Sequence, residues 1–462
     1  MKTSEPESKS RGQACGWYKA YREYGQRQVL KSIRNLEKQI NDLALAAQYY
    51  FRLYHLVLIH GVLIKPAELL MAFRYLIIIA TAAAILIYGI MKPERNWDMV
   101  TYVAAAYYKD GYRGADLTRE TYGDIKKGVS AKRFSKLVTG EYRETVFRDP
   151  ASLEQQLPFY SPRVVYIELI RLFKHFGLSY TKATYVISAI FASLSVLVLG
   201  LIILEATVSI AILPFIVVLT GYSEIARLST PDAMACFFSL LGIYSLIRKG
   251  KLEFFVAAIL PVIRTDFILL SGLLMIFTYR QGDRFISLFS LLSAAAIYIL
   301  VTKLTGNYGY LTLFNFTFIG SLSPYPVNIV ISHQVGDYVI PYALLLQSLL
   351  SHSHTVVYVL ALYLFWLNRD QVNRGKVHFY CLFILPFVFT AAHMLLFPSN
   401  HFRFFVFSSS LIFVWSLAVI TQLKKAQDRA VKVGHGRSAS LTSTTIAPDT
   451  GKFYQNVHQV SP

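Results

Sequence analysis

The feature that most limits this chain is a series of apolar runs, each near the length at which a helix crosses a lipid bilayer. A crossing helix takes about 20 residues, and the stretches 72–90, 181–204, 285–301, 377–396 and 404–420 fall near that length. Backbone polar groups find no water in hydrocarbon, so such runs must be helices that satisfy their own hydrogen bonds. A membrane β-barrel would instead carry short strands of alternating hydrophobicity. The 462 residues are 54% hydrophobic and 16% charged, whereas a soluble chain carries about a quarter charged residues. The expected class is an all-α polytopic membrane protein.

The net charge of +19 could point to nucleic acid, but its distribution argues against that partner. Many Lys and Arg residues sit in the N-terminal segment, in short loops between apolar runs and in the C-terminal tail. That is the positive-inside pattern, reinforced by attraction to anionic lipid. Cys15, Cys236 and Cys381 lie far apart and form neither a metal spacing nor a disulfide framework.

The basic loops set an expected topology. Residues 1–71 read as a cytosolic basic extension, helical near 27–50, with a possible interfacial helix at 49–63 and no cleavable signal peptide. Met71 directly precedes the first span, so this extension is expected to be dispensable. Residues 72–423 form the transmembrane domain. After span one, residues 92–178 make a long external loop, which escapes the positive-inside rule because of its length. Spans follow at 181–204 and 208–220, then a short external loop at 221–232 and a fourth span. The run 252–279 has basic clusters on both flanks and is interrupted by Pro261-Val-Ile-Arg264-Thr-Asp266, which reads as a broken helical hairpin with Arg264 and Asp266 at its tip. A span at 285–301, an external loop to 337, a span ending at 367, a cytosolic loop at 368–376 and two last spans complete about eight full spans plus the hairpin. The tail 424–462 is basic, then Ser/Thr-rich, and is expected to be disordered in the cytosol. Both termini are thus placed in the cytosol.

With that topology, Asp98, Arg163, Glu224, Arg227, Asp232, His333, Asp337, His401 and Arg403 all fall on the external side. Asp98, in Asn96-Trp97-Asp98, follows span one, where a carboxylate can stay ionised and face a lipid-borne substrate. It suits a general base that takes a proton from an acceptor. It equally suits the N-cap of a helix opening at Met99. Asp232, in Ser229-Thr-Pro-Asp232, is either a helix-opening cap or a second acid that orients a sugar or shares a metal with Asp98 and Glu224. Cysteine and histidine spacing requires no metal, so the metal ligands are unknown and no cofactor is required.

The external loop ends in Leu157-Pro-Phe-Tyr160-Ser-Pro-Arg163 and then a helical pattern with Val165, Leu169, Leu172 and Phe176 on one face. That is the pattern of an interfacial helix, or of an ordinary packing helix. Arg163, Arg264, and the pair His401 and Arg403 are candidate phosphate ligands, since guanidinium donors match phosphate oxygens. Ion pairs are their competing fate, and Arg264 and Asp266 suit each other. His352 and His354 read as structural. No phosphate loop, zinc-protease helix, nucleophile elbow or dinucleotide fingerprint is present.

In order, Asn96-Trp97-Asp98 after span one, the long loop with amphipathic helices, Ser229-Thr-Pro-Asp232 and the broken Pro261–Asp266 hairpin resemble the GT-C class of integral-membrane glycosyltransferases. The nearest comparison is to bacterial members similar to protein O-mannosyltransferases and aminoarabinose transferases. The resemblance spans residues 72–420. It implies inverting transfer of a sugar from a polyprenyl-phosphate donor to a glycan, lipid or protein acceptor on the external, periplasmic side of a bacterial inner membrane. Asp98 would match the base, and Asp232 the acid of the second loop. Many relatives carry paired acids in the first loop, whereas here Asp98 stands between Trp97 and Met99. Two other readings fit the layout. One is a transporter or flippase for a lipid-linked glycan, with Arg264, Asp266 and Asp98 along its path. The other is a polysaccharide polymerase or ligase. The chain halves show no clear repeat of the kind carriers use.

Overall fold

The computed structural model describes residues 73–320, 322–350, 352–367, 377–399 and 401–423. The 1–71 extension with its two expected helices, the 368–376 loop, the 424–462 tail and Cys15 lie outside the described residues. The described residues are mostly helical and contain no strand.

Among the described residues, five helices are long and apolar enough to cross a membrane: α1 (Arg74–Met91), α8 (Tyr180–Glu205), α14 (Arg284–Leu304), α18 (Val377–Leu396) and α19 (Phe402–Leu423). Between α1 and α8 the chain folds into α2 (Asp98–Lys109), α3 (Gly114–Gly128), α4 (Ala131–Val138), α5 (Glu141–Arg148), α6 (Pro150–Tyr160) and α7 (Val164–His175). After α8 come α9 (Ile210–Leu219), α10 (Tyr222–Arg227), α11 (Asp232–Ile247), α12 (Leu252–Ile263) and α13 (Ile268–Gln281). Beyond α14 lie α15 (Tyr310–Ile319), α16 (Val335–Leu349) and α17 (Ser353–Leu367). The described residues from Phe73 to Ser416 form one compact unit, and a second begins at Leu417.

The expected spans 181–204, 285–301, 377–396 and 404–420 each correspond to a long helix, as does 72–90. The expected third and fourth spans are shorter. At about 1.5 Å per residue, the ten residues of α9 rise about 15 Å and the 16 of α11 about 24 Å, against about 30 Å of hydrocarbon. The expected span ending at 367 is two helices, α16 and α17, bent by 80°.

Lipid-facing character shows in which residues are left outside. Phe285, Phe289 and Leu292 on α14, and Leu76 and Ile79 on α1, are all exposed. The opposite side of α1 packs on α8. Ser193 Oγ donates to the Ala82 carbonyl at 2.8 Å, and Gly200 lies so close to Ile78 that a Cβ there would meet its Cγ1 at 2.7 Å. Small residues permit this backbone approach where no hydrophobic drive separates helix from lipid.

The hairpin breaks as expected but three residues past its proline. Pro261 stays inside α12, and the backbone becomes extended at Arg264. Proline lacks the N–H that would bond to Ala257, and the freed Ala257 carbonyl accepts instead from Ser271 Oγ of α13 at 2.7 Å. The break places Arg264, Thr265 and Asp266 at the turn between α12 and α13.

Candidate functional site

Two sequence-distant turns are stitched together. The connector between α1 and α2 donates from Glu94 N to the Arg227 carbonyl at 2.9 Å, and Arg227 Nε returns a bond to the Lys92 carbonyl at 2.6 Å. Asn96 Oδ1 accepts from Ser229 N at 2.9 Å, while Asn96 Nδ2 donates to Asp98 Oδ2 at 2.8 Å. The second turn is itself fixed on α8, where Ser188 Oγ donates to the Thr230 carbonyl at 2.8 Å and Thr184 Oγ1 to Ser229 Oγ at 2.9 Å. Asp98 and Asp232, 134 positions apart in the chain (232 − 98), therefore open their helices beside one another.

Neither acid caps its helix. No side-chain bond caps the start of α2 or α11. Both carboxylates enter a chain of alternating charge instead. Asp98 Oδ1 accepts from Tyr160 at 3.1 Å, and its Oδ2 from Arg403 Nη1 at 3.3 Å. Arg403 Nε lies 3.4 Å from Asp232 Oδ2. Asp232 also accepts from Thr230 at 2.8 Å and from Arg264 Nη1. Arg264 grips Asp266 with two parallel bonds, of 3.1 and 2.8 Å. His393 Nε2 ends the chain, 2.8 Å from Asp266 Oδ2. The Phe404 ring lies against both guanidiniums, with Arg264 Cζ at 4.2 Å and Arg403 Cζ at 5.2 Å. Such dense pairing is what buried charge requires.

This chain of charge lines a cavity of about 1380 Å³. Leu269, Leu313, Leu322, Leu344 and Leu345 line it as well. Phe159 of α6 stacks on Phe316 of α15 beside it, with centroids 4.9 Å apart. Gln156 Nε2 and Ser152 Oγ hold the loop after α15 through the Pro324 carbonyl, at 2.9 and 2.6 Å. The α1–α8 connection thus borders the cavity together with a loop from much later in the chain.

Of the residues singled out in the sequence, Asp98, Asp232, Arg163, Glu224, Arg264, Asp266, His401 and Arg403 all line this cavity. Arg227 does not; its guanidinium holds the Lys92 carbonyl and lies near the Tyr88 ring. His333 and Asp337 do not border it either, and Asp337 accepts locally from Ser332 at 2.6 Å. Arg163 borders it half-buried, within 5.9 Å of the Tyr160 ring. Among the described residues, no three His, Cys, Asp or Glu side chains are grouped to hold a metal ion. Arg403 lies between Asp98 and Asp232, 3.3 Å from the one carboxylate and 3.4 Å from the other.

Two titrations are set by the cavity. Burial, then the nearby Asp98 charge, hold the Tyr160 phenol protonated well above its ordinary range, so it remains a donor to Asp98. Glu224 keeps part of its side chain in solvent. The water it does lose to the cavity wall raises its pKa, the Glu94 charge adds to the rise, and Arg403 opposes it. Sequence reasoning missed three contributors. Asn96 and Tyr160 sat inside quoted motifs without a role, and His393 sat inside an expected span. An imidazole in an otherwise apolar crossing segment is the signal that would have found it.

Comparison with known proteins gives no match, whether to family models, curated sequences or solved structures.

Proposed function

We propose that this protein is an integral-membrane glycosyltransferase of GT-C type. It moves a sugar from a polyprenyl-phosphate donor to a glycan, lipid or protein acceptor at the external, periplasmic face, with inversion. The observation that supports this reading is the meeting of Asp98, Asp232, Arg264 and Arg403 in the lining of a cavity that leucines also line. A polyprenyl phosphate likewise joins an anionic group to an apolar chain. The cavity also exceeds the roughly 300–1,000 Å³ of a small-molecule pocket, as a site for a lipid donor and an acceptor together must.

The chemistry follows from the side chains. The acceptor O–H or N–H attacks the anomeric carbon, its proton passes to Asp98, and the bond from that carbon to the phosphate oxygen breaks. The departing phosphate keeps the electron pair and is stabilised by guanidinium. Asp232, deeply buried and bound by Arg264 and Thr230, orients the two arginines; it does not take the proton. No nucleotide is needed, because the lipid phosphate is already a leaving group.

The test is transfer from labelled polyprenyl-phosphate sugar by the purified protein. Asp98→Asn should lower turnover by about 10²–10⁴-fold, the usual contribution of a general base. Full turnover in that variant rules out Asp98 as base. Movement of the lipid-linked glycan across vesicles with no transfer product would favour the flippase reading.

A further inference from the structure

Both oxygens of the proposed base are already occupied. Asp98 Oδ1 takes the Tyr160 proton, and Oδ2 takes Asn96 and Arg403. A carboxylate in that state is a poor proton acceptor. Of these donors, Arg403 is the one that can leave. Tyr160 and Asn96 are neutral and fixed by their own elements, whereas Arg403 reaches Asp98 at 3.3 Å and Asp232 at 3.4 Å. Charge-assisted N–H to carboxylate bonds normally measure about 2.7–2.9 Å, so both contacts are loose. Arg403 Nε is buried with no hydrogen-bond partner. Arg264 differs on every count, with Nε, Nη1 and Nη2 all bonded to carboxylates. The cavity lining therefore holds one anchored guanidinium and one under-satisfied guanidinium beside the base.

We propose that Arg403 is an exchangeable latch: the phosphate of an isoprenoid phosphate draws its guanidinium off Asp98, so binding the lipid and freeing the base are one event. This rests on the glycosyltransferase reading for the identity of the base. It makes binding ordered, since an acceptor arriving first meets an occupied carboxylate. A donorless enzyme cannot then deprotonate acceptor or water. Because one guanidinium serves two anions in turn, its hold on Asp98 lowers phosphate affinity, and linkage makes the effect reciprocal.

The reciprocity gives a binding test that needs no sugar transfer. Farnesyl monophosphate, inorganic phosphate and farnesol are titrated calorimetrically into the full-length protein in detergent. The proteins are wild type, Asp98→Asn, Arg403→Gln and the Asp98→Asn/Arg403→Gln pair, with thermal melting as the check on folding. Asp98→Asn removes the competitor and should tighten farnesyl monophosphate by roughly fivefold or more, the low end of a coupling between two sites. Arg403→Gln should weaken it and abolish the gain from Asp98→Asn. Farnesol should be indifferent to both changes. Arg403→Lys provides a folded alternative to the glutamine variant; its shorter point charge should bind phosphate with little response to Asp98→Asn. Unchanged or weaker binding in folded Asp98→Asn overturns the latch, as does a gain that survives Arg403→Gln. An equal gain for inorganic phosphate removes the isoprenoid from the proposal and so overturns it. The coupling without any transfer activity would leave the latch standing and sink the glycosyltransferase reading. Transfer without the coupling would do the reverse.

Discussion

Arg264 directs three nitrogens at two carboxylates, Asp232 and Asp266, in a setting it shares with little water. Removing one partner from such a buried set leaves uncompensated charge and typically costs about 3–5 kcal/mol. Arg264→Met is therefore expected to lose stability of that order, read by thermal unfolding of the detergent-purified protein. Adding Asp232→Asn and Asp266→Asn should return part of the loss, because the stranded charges are gone. An Arg264→Met protein that melts like wild type would mean the pairs contribute no more than surface contacts. At this scale the acids and arginines were legible because ionisable groups at a membrane edge are expensive and rarely idle. Their pairing was only half legible. The sequence pointed to Arg264 with Asp266, while its bond to Asp232 and the bridge through Arg403 depend on contacts between residues 32 and 171 positions apart (264 − 232, 403 − 232). Arg227 shares the external side with those residues in the sequence, yet its guanidinium closes the backbone between two turns.

At the level of elements, the proline in the hairpin shows how a break is tolerated. Pro261 was legible as the cause of an opening, but helix α12 continues past it because Ser271 supplies the bond that proline removes. Ser271→Ala would leave the buried Ala257 carbonyl without that donor, at a cost of about 1–3 kcal/mol. A drop in melting temperature is expected, together with faster amide exchange along α12. No change in either would mean that the carbonyl has another partner. The short α9 and α11 look like full spans in sequence because hydropathy counts apolar residues, whereas the ends of a helix depend on what it packs against. Leu213, Ile216 and Val217 of α9 are buried, although the helix is apolar throughout. The break between α16 and α17 falls at His352, next to Ser351 and Ser353, where no proline signals it.

For the whole molecule, the order of elements was more legible than the enclosure they make. That residues 92–178 would form amphipathic helices follows from periodicity. Their attachment to the loop after α15 depends on Gln156, Ser152 and the Pro324 carbonyl, which no local pattern reveals. If the apolar wall holds the isoprenoid, filling it should discriminate by chain length. Leu269→Trp is expected to raise KM for a long polyprenyl donor several-fold more than for a short-chain analogue, leaving turnover at saturation near wild type. Equal effects on both donors would remove that wall from the lipid path. Asn96 has a further consequence for how these parts are spaced. Its amide accepts from the Ser229 N–H and donates to Asp98, so one side chain gauges the spacing between the two acid-bearing turns. An aspartate there would keep the shape and the bond from Ser229 but lose the donor, and it would set a like charge against the proposed base.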